Sequence, residues 1–186
     1  MPSLSKFKRW LKKRVLLSKG RGLLRLSEPV EIRMPVHLTA RGLIRIGKGT
    51  SLGDKGAPRI GDGAITLQTR NTKAEICIGS GCAFSNNITI VATDSITIGD
   101  LCLIGDQVMI MDSDFHRLNP KERAQPAEPM AVRIGNNVWL GSRVMVLKGA
   151  TIGDNSVVAA GAIVVSEVPP NTLVAGIPAR IIRTLD

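Results

Sequence analysis

Apolar positions recur every six residues between Ile134 and Val168. The residues that open the hexads are Ile134, Leu140, Val146, Ile152, Val158 and Val164. A second small or apolar residue follows four positions after each, at Val138, Val144, Ala150, Ser156, Ala162 and Val168. An α-helix repeats every 3.6 residues and a β-strand every two, so neither alone explains this period. The spacing is typical of a hexapeptide β-helix, in which three hexads of strand and turn complete one coil.

The same pattern precedes this stretch in shorter runs. Two sets of lead positions each predict one coil: Ile78, Phe84 and Ile90, then, after a slip of two residues, Ile98, Ile104 and Ile110. Residues 29–70 hold only fragments in phase, as expected of the atypical first coils of a solenoid. The chain is therefore predicted to be mainly β, with three parts: a basic N-terminal segment (1–28), a β-helix domain (29–168) and a C-terminal tail or cap (169–186).

The repeat breaks between residues 112 and 131. This stretch, DSDFHRLNPKERAQPAEPMA, holds three prolines, seven charged side chains and almost no aliphatic residues. The hexad phase then resumes at Ile134 as if the stretch replaced part of a coil. A polar excursion inside a regular solenoid is more often functional than structural. We expect an extruded loop that carries part of a site.

A basic amphipathic helix is predicted over residues 3–18. Leu4, Phe7, Leu11 and Val15 have helical spacing, with Lys and Arg between them. Two interpretations stay open: the helix lies in a membrane interface with Trp10 near the headgroups, or it packs as an end cap on the first coil. Nucleic acid is not expected as a partner, because no aromatic platform or known motif accompanies the charge.

The net charge of +10 is concentrated at the N-terminus. Residues 1–25 hold nine of the 25 Lys and Arg residues and no acid, which leaves 16 basic against 15 acidic residues in the rest of the chain. Of three cysteines, Cys82 and Cys102 fall at inward positions, and no CxxC pair occurs. They are read as reduced core residues of a cytoplasmic protein, with the inner membrane face as a further location suggested by the basic segment.

His116 is the sharpest candidate for chemistry. It is one of two histidines, it lies in the polar excursion, and it follows Asp112 and Asp114. A neutral imidazole is a natural base near pH 7, and a carboxylate or carbonyl on its other nitrogen fixes the tautomer. His37 has no neighbouring acid and is read as structural. Two histidines do not supply a three-histidine metal site, so no metal is expected.

From about Ile76 to Arg183 the chain resembles the hexapeptide-repeat acyltransferases, and most closely the maltose and galactoside O-acetyltransferases and the sugar acetyltransferases of surface-polysaccharide clusters. The stretches that carry the resemblance are ITIVATDSITIGD (88–100), DSDFH (112–116), IGNNVWLGSRVMVLKGATIGDNSVVAAGAIVV (134–165) and VPPNTLVAGIPARIIR (168–183). The resemblance implies a left-handed parallel β-helix. That hand does not follow from the residues, since parallel crossovers are generally right-handed.

The resemblance also implies a homotrimer with active sites in clefts between neighbouring coils, acetyl-CoA as the acyl donor and a saccharide acceptor. His116 matches the family's histidine base, with Asp112 and Asp114 as candidates to orient it. Positions that match cofactor contacts are Trp139, Ser142, Ala160, Val165, Ser166, Arg180 and Arg183. Positions that match acceptor contacts are Ser85, Asn86 and Asp94.

The chain departs from these relatives in two respects. Val165 and Ser166 stand where relatives have Thr-Lys, so one cationic contact to CoA is missing. The helical N-terminal substrate segment of the family is not recognisable in residues 1–40.

The expected function is transfer of acetyl from acetyl-CoA to a sugar hydroxyl, in surface polysaccharide or glycolipid synthesis. The alternatives are N-acetylation of a nucleotide-linked amino sugar, a non-catalytic solenoid that binds membranes or partners, and a metal-dependent solenoid of the carbonic-anhydrase kind, which the histidine count disfavours.

Overall fold

The computed structural model describes residues 22–186 and the backbone of residues 15–17. Within these residues the regular structure is β, apart from one 3₁₀ turn, η1 (Pro120–Glu122). The strands in chain order are β1 (Val15–Leu17), β2 (Leu23–Leu26), β3 (Glu31–Ile32), β4 (Val36–Ala40), β5 (Leu43–Ile46), β6 (Ser51–Leu52), β7 (Ile65–Thr69), β8 (Glu75–Ile78), β9 (Ala83–Phe84), β10 (Thr89–Ala92), β11 (Ser95–Ile98), β12 (Leu103–Ile104), β13 (Met109–Met111), β14 (Val132–Ile134), β15 (Trp139–Leu140), β16 (Met145–Val146), β17 (Thr151–Ile152), β18 (Val157–Val158), β19 (Ile163–Val164), β20 (Glu167–Val168), β21 (Thr172–Ala175) and β22 (Arg180–Thr184).

Every third strand pairs in parallel, which builds three sheets. Sheet A runs β1-β4-β7-β10-β13-β16-β19, sheet B runs β2-β5-β8-β11-β14-β17-β20, and sheet C runs β3-β6-β9-β12-β15-β18-β21. One strand from each sheet makes a coil, so coil 1 is β1 to β3 and coil 7 is β19 to β21. β22 then pairs antiparallel to β21. The β-helix predicted from the hexads is confirmed.

Three corners separate the sheets of each coil. We call them the A–B, B–C and C–A corners, after the strands that the chain leaves and enters. Each corner recurs at the same place in successive coils, because the strands pair in register. Residues at equivalent corners therefore lie about 4.8 Å apart along the solenoid, the spacing of paired strands.

The lead aliphatics of the hexads stack on one another inside the solenoid. Ile98 pairs with Ile134 and Ile134 with Ile152, so one column of branched side chains runs through three coils. All three are at most 2% exposed. Cys82 and Cys102 lie in the same interior as free, buried thiols, as predicted. Short strands thus become stable because each coil covers the apolar face of the next.

Asparagines form a ladder along the B–C corner. Asn137, Asn155 and Asn171 all have positive φ, between 52° and 59°. The side-chain amide of Asn137 donates to Asn155 (3.0 Å), and that of Asn155 donates to Asn171 (2.9 Å). Asn tolerates the left-handed conformation better than other residues with a Cβ. The sequence therefore supplies both the turn and a hydrogen bond between coils.

The helix predicted over residues 3–18 is wrong where it can be compared. Val15–Leu17 form β1 and pair in parallel with β4, and the other residues of that helix lie outside those described. The three-part division of the chain stays a prediction. Strand pairing continues across both proposed boundaries, since β2 pairs with β5 and β21 with β18. No helix in the described residues is long and apolar enough to cross a membrane.

The polar excursion is an insertion at the A–B corner of coil 5. It leaves β13 at Met111 and re-enters at β14, with η1 inside it. Ile98 pairs directly with Ile134, 36 residues on, whereas Ile134 pairs with Ile152, 18 residues on. The extruded loop is confirmed, but it adds 18 residues to one coil and does not replace part of a coil. The following coils keep their register because both ends of the loop return to neighbouring strands.

Candidate functional site

The ring of His116 is held by the backbone of its own loop. Its Nδ1 lies 2.8 Å from the carbonyl oxygen of Arg123. A carbonyl only accepts hydrogen bonds, so Nδ1 carries the proton of the neutral ring and Nε2 keeps its lone pair. The side chain is exposed, which leaves that lone pair open to a ligand. This is the arrangement that a general base requires.

Phe115 gives the loop a sharp turn just before His116. Its φ is +62°, and the amide of His116 donates to the carbonyl oxygen of Asp114 at 2.7 Å. A bulky residue at positive φ is strained and persists only where the surroundings enforce it. Here the amide of Phe115 donates to Ser113 Oγ, and the guanidinium of Arg70 lies over the ring. The turn therefore aims His116 away from the coil.

Asp112 is a buried anchor at the start of the loop. Its two carboxylate oxygens accept the amides of Thr93 (2.8 Å) and Asp94 (2.7 Å), at the same corner one coil earlier. Burial raises the pKa of Asp112, and the two amide hydrogen bonds act in the opposite direction. The carboxylate thus binds backbone, and the His116 ring has the Arg123 carbonyl as its partner.

Asp114 forms an ion pair with Lys148 of the next coil. Both side chains are about one third exposed, at 34% and 27%. Lys148 was not among the site residues predicted, although the register contains the signal. Ile110 pairs with Val146, so the residues two positions after each share one corner. Neither aspartate orients the imidazole, and Arg123 performs that role through an atom that no side-chain pattern reveals.

A groove follows the C–A corner over four coils. It has a volume of about 550 Å³ and includes Ser85, Gly105, Ser142 and Ala160 in its lining. Gly141 allows the coils to approach here, because a Cβ on it would lie 2.7 Å from the amide nitrogen of Ala160. The structure thus brings together two of the predicted cofactor positions and one predicted acceptor position.

Asn86 fixes the insertion that closes this groove at its N-terminal end. Its amide donates to the carbonyls of Asp54 (2.8 Å) and Pro58 (3.1 Å), and its Oδ1 accepts the amide of Asp54 (2.9 Å). The side chain is fully buried. Asn86 therefore shapes the wall with Pro58, while Ser85 beside it faces the groove.

The outer face of sheet C carries an apolar wall beside the groove. Trp139 is 53% and Leu103 50% exposed, and the two are register partners on β15 and β12. They line a second hollow of about 220 Å³ together with the polar residues Arg33, Ser51 and Asp54. Ser85 and Gly105 line both cavities, so the two are continuous.

The remaining predicted residues lie at other places on the solenoid. Asp94, Val165 and Ser166 are at the A–B corner, on coils 4 and 7, and Arg180 and Arg183 are exposed on β22. His116 is also at the A–B corner. One chain therefore distributes the predicted site over two corners, and the described residues do not bring His116 and the C–A groove into one cavity. They contain no cluster of three His, Cys, Asp or Glu suited to a metal ion.

Comparison with known proteins agrees with the repeat pattern. Residues 131–166 match the family described as bacterial transferase hexapeptide (six repeats). The galactoside O-acetyltransferase of Escherichia coli K12 is 39% identical over 61% of this chain and 56% of its own length. A putative lipopolysaccharide biosynthesis O-acetyl transferase of the same organism, WbbJ, is 37% identical over 54% of this chain and 59% of its own.

A solved structure extends the likeness over the whole chain. A hexapeptide-repeat acetyltransferase of Vibrio cholerae, crystallised with acetyl coenzyme A, is 29% identical with a TM-score of 0.60, covering 99% of this chain and 80% of that one. The resemblance drawn from the sequence is confirmed. The chain spans little more than half the length of the two E. coli relatives, at 56% and 59%.

Proposed function

We propose that this protein is an acetyl-CoA-dependent O-acetyltransferase that acts on a saccharide hydroxyl during assembly of a surface polysaccharide or glycolipid. The observation that carries the proposal is His116, held through Nδ1 with Nε2 open, in a solenoid whose relatives are named as sugar and lipopolysaccharide O-acetyltransferases. The cytoplasm and a membrane contact of residues 3–18 stay predictions.

The geometry of His116 suits one proton transfer. Nε2 takes the proton of the acceptor hydroxyl as its oxygen attacks the thioester carbonyl carbon. The C–S bond then breaks, the acetyl group stays on the acceptor oxygen, and the thiolate leaves with the proton returned by the imidazolium. The Arg123 carbonyl stabilises the imidazolium, because it accepts the hydrogen bond of Nδ1–H throughout.

The acyl donor is expected toward the C-terminal end of the solenoid. Ser142 and Ala160 line the groove, and Trp139 lies beside it on sheet C. Arg180 and Arg183 are exposed beyond coil 7, where guanidinium groups suit the phosphates of CoA. These residues fit a long thioester that runs along the coils, and Val165 and Ser166 offer hydroxyl and apolar contacts without a cation.

A homotrimer would complete the site. Sheet A lies between the A–B and C–A corners, so three copies with sheet A around a threefold axis place the A–B corner of one against the C–A corner of the next. The outer face of sheet A supports this packing, because it carries the apolar residues Met109, Met111, Met145 and Ile163. His116 of one copy then meets the groove of its neighbour.

The test is release of CoA thiol from acetyl-CoA with a panel of saccharides, beside equilibrium binding of acetyl-CoA. We expect binding and saccharide-dependent thiol release. Sedimentation of the same sample should give three chains per particle. A protein that does not bind acetyl-CoA would contradict the proposal, and the non-catalytic solenoid would replace it.

A further inference from the structure

Four cations surround the His116 loop without a carboxylate partner. They are Arg41, Lys73, Lys121 and Arg123, and among the described residues none has a carboxylate oxygen within 4.0 Å. All four side chains belong to exposed residues. The chain beyond residue 25 has almost equal numbers of basic and acidic residues, so this local excess is not a reflection of the average charge.

Two of these cations are part of the loop that holds the base. The carbonyl of Arg123 contacts the His116 ring, so its side chain starts beside the imidazole. Lys121 lies two residues earlier on η1, which Asn119 caps through a hydrogen bond to the Lys121 amide at 3.1 Å. The short helix thus presents both side chains from a defined backbone.

The other two cations line the A–B corner on the N-terminal side of the loop. Lys73 stands on a turn that Asn71 closes, and the Asn71 amide also donates to the Thr93 carbonyl at 2.7 Å. Thr93 in turn donates its amide to Asp112, where the loop begins. Arg41, one coil earlier, donates to the Arg70 carbonyl at 3.4 Å. A continuous set of contacts therefore links these cations to the loop.

The acids of this region are mostly engaged. Asp112 binds two backbone amides, Asp114 pairs with Lys148, and Glu122 pairs with Arg117 at 3.3 Å. Asp94 is exposed and has no ion-pair partner among the residues that the structure describes. Four free cations thus face one free carboxylate.

These cations are on the wrong side of His116 to serve the phosphates of the acyl donor. Arg41 and Lys73 are on coils 2 and 3, whereas Arg180 and Arg183 lie beyond coil 7 on β22. Four coil heights of about 4.8 Å separate these ends, which is roughly 20 Å. A donor that approaches from the C-terminal coils leaves the N-terminal side of the base for the acceptor.

We propose that the acceptor is an anionic saccharide, which carries a carboxylate or phosphate on a part that does not react, and that Arg41, Lys73, Lys121 and Arg123 bind that charge. This inference rests on the proposed acetyl transfer, since it concerns the acceptor of that site. Because the cations are exposed, they select the acceptor mainly through long-range attraction that salt weakens.

Matched acceptors test the proposal. One pair is an oligosaccharide of a hexuronic acid and its carboxyl-reduced form, and the other is a hexose 1-phosphate and the free hexose. We expect transfer to the anionic member of at least one pair with the lower KM, and a preference that shrinks between 0.05 and 0.5 M salt, conditions across which screening strengthens several-fold. The pair that responds distinguishes carboxylate from phosphate.

Charge-neutral variants identify the residues. Lys73→Gln and Lys121→Gln should each raise the KM for the anionic acceptor about two- to fivefold, the effect of one exposed ion pair. Their kcat and their KM for acetyl-CoA should not change. Lys48→Gln is the matched control, because Lys48 carries the same charge on an exposed turn at the B–C corner. Neutral acceptors should be indifferent to all three substitutions.

Titration of the anionic oligosaccharide and the sugar phosphate without acetyl-CoA keeps this inference separate from the proposed function. If no acetyl is transferred but binding depends on Lys73 and Lys121, acetyl transfer fails and anion binding stands. Equal binding and turnover of both members of each pair would overturn the inference. So would binding to vesicles of anionic phospholipid with no binding of either anionic sugar, which would assign the cations to a membrane.

Discussion

The guanidinium carbon of Arg70 lies 5.2 Å from the centroid of the Phe115 ring. Arg70 follows β7 in coil 3, and Phe115 is in the loop that leaves coil 5, so this contact ties the loop across two coil heights. Because Phe115 is strained at positive φ and directly precedes His116, Arg70 holds the orientation of the base without touching a substrate.

Replacement of Arg70 should therefore lower turnover more than binding. Arg70→Gln removes a cation–π contact worth about 0.5–2 kcal/mol, which corresponds to a kcat about two- to thirtyfold lower, with an unchanged KM for acetyl-CoA. Arg70→Lys keeps a cation over the ring and should restore most of the loss. Equal damage from both substitutions, accompanied by a similar fall in melting temperature, would indicate a merely structural contact.

Removal of the base should cost far more. His116→Ala should lower kcat about 10²- to 10⁴-fold, because proton removal from the acceptor loses its catalyst. The Kd of acetyl-CoA, measured by equilibrium titration, should stay the same. His37→Ala is the comparison, since His37 is the other histidine and lies on sheet A outside the site. A variant of His116 that retains full thiol release would exclude the imidazole as the base.

Asp112 makes a prediction about pH and stability. Its pKa is raised by burial above the ordinary value of about 3.9. The folded state therefore binds the proton more tightly than the unfolded state, so this group's contribution to the free energy of unfolding falls as pH rises from about 4 through the raised pKa. Asp112→Asn cannot lose that proton. The difference in unfolding free energy between wild type and variant should decrease over this window.

Urea unfolding of both proteins at pH 4, 5, 6 and 7 measures that difference. The Asn side chain accepts one of the two amides of Thr93 and Asp94 and opposes the other with its own NH₂, at a cost of about 1–3 kcal/mol. We expect wild type to be the more stable at pH 4. A difference that widens with pH would mean that the amide hydrogen bonds outweigh burial.

Leu101 breaks the Asn ladder of the B–C corner. It has the same left-handed backbone (φ 59°) at the equivalent position one coil before Asn137, and its side chain is 61% exposed. Leu101→Asn should extend the ladder and relieve backbone strain, a gain of about 0.5–1 kcal/mol in unfolding free energy. Leu103→Asn, two residues on in a strand, should bring no such gain. A destabilised Leu101 variant would show that the leucine packs usefully against Gly81.

The period of six carried most of the fold. Lead positions predicted in one coil pair with those of the next, as Ile98 with Ile134 and Ile104 with Leu140. The period could not reach the N-terminus, because Val15–Leu17 satisfy both a helical stripe and a short strand. Pairing with β4 decides between them, and that partner is 21 residues away.

The candidate site was predictable in its residues and not in its contacts. His116 stood out as a rare residue in a polar excursion. Its partner is a backbone carbonyl, an atom that every residue possesses, so no side-chain pattern identifies Arg123. Asp112 and Asp114 resembled orienting acids because they are near in sequence, whereas the coils bring Thr93 and Lys148 nearer in space.

The insertion between β13 and β14 separates two tasks that most enzymes entangle. Ile110 and Val146 stay in register although the coil between them is twice as long as its neighbours, so the solenoid's stability does not depend on what the loop contains. Mutations in residues 115–129 can thus alter reactivity while the scaffold remains unaffected. A loop of different length and chemistry, transplanted onto the anchors Asp112 and Val132, would give a new catalyst on an old frame.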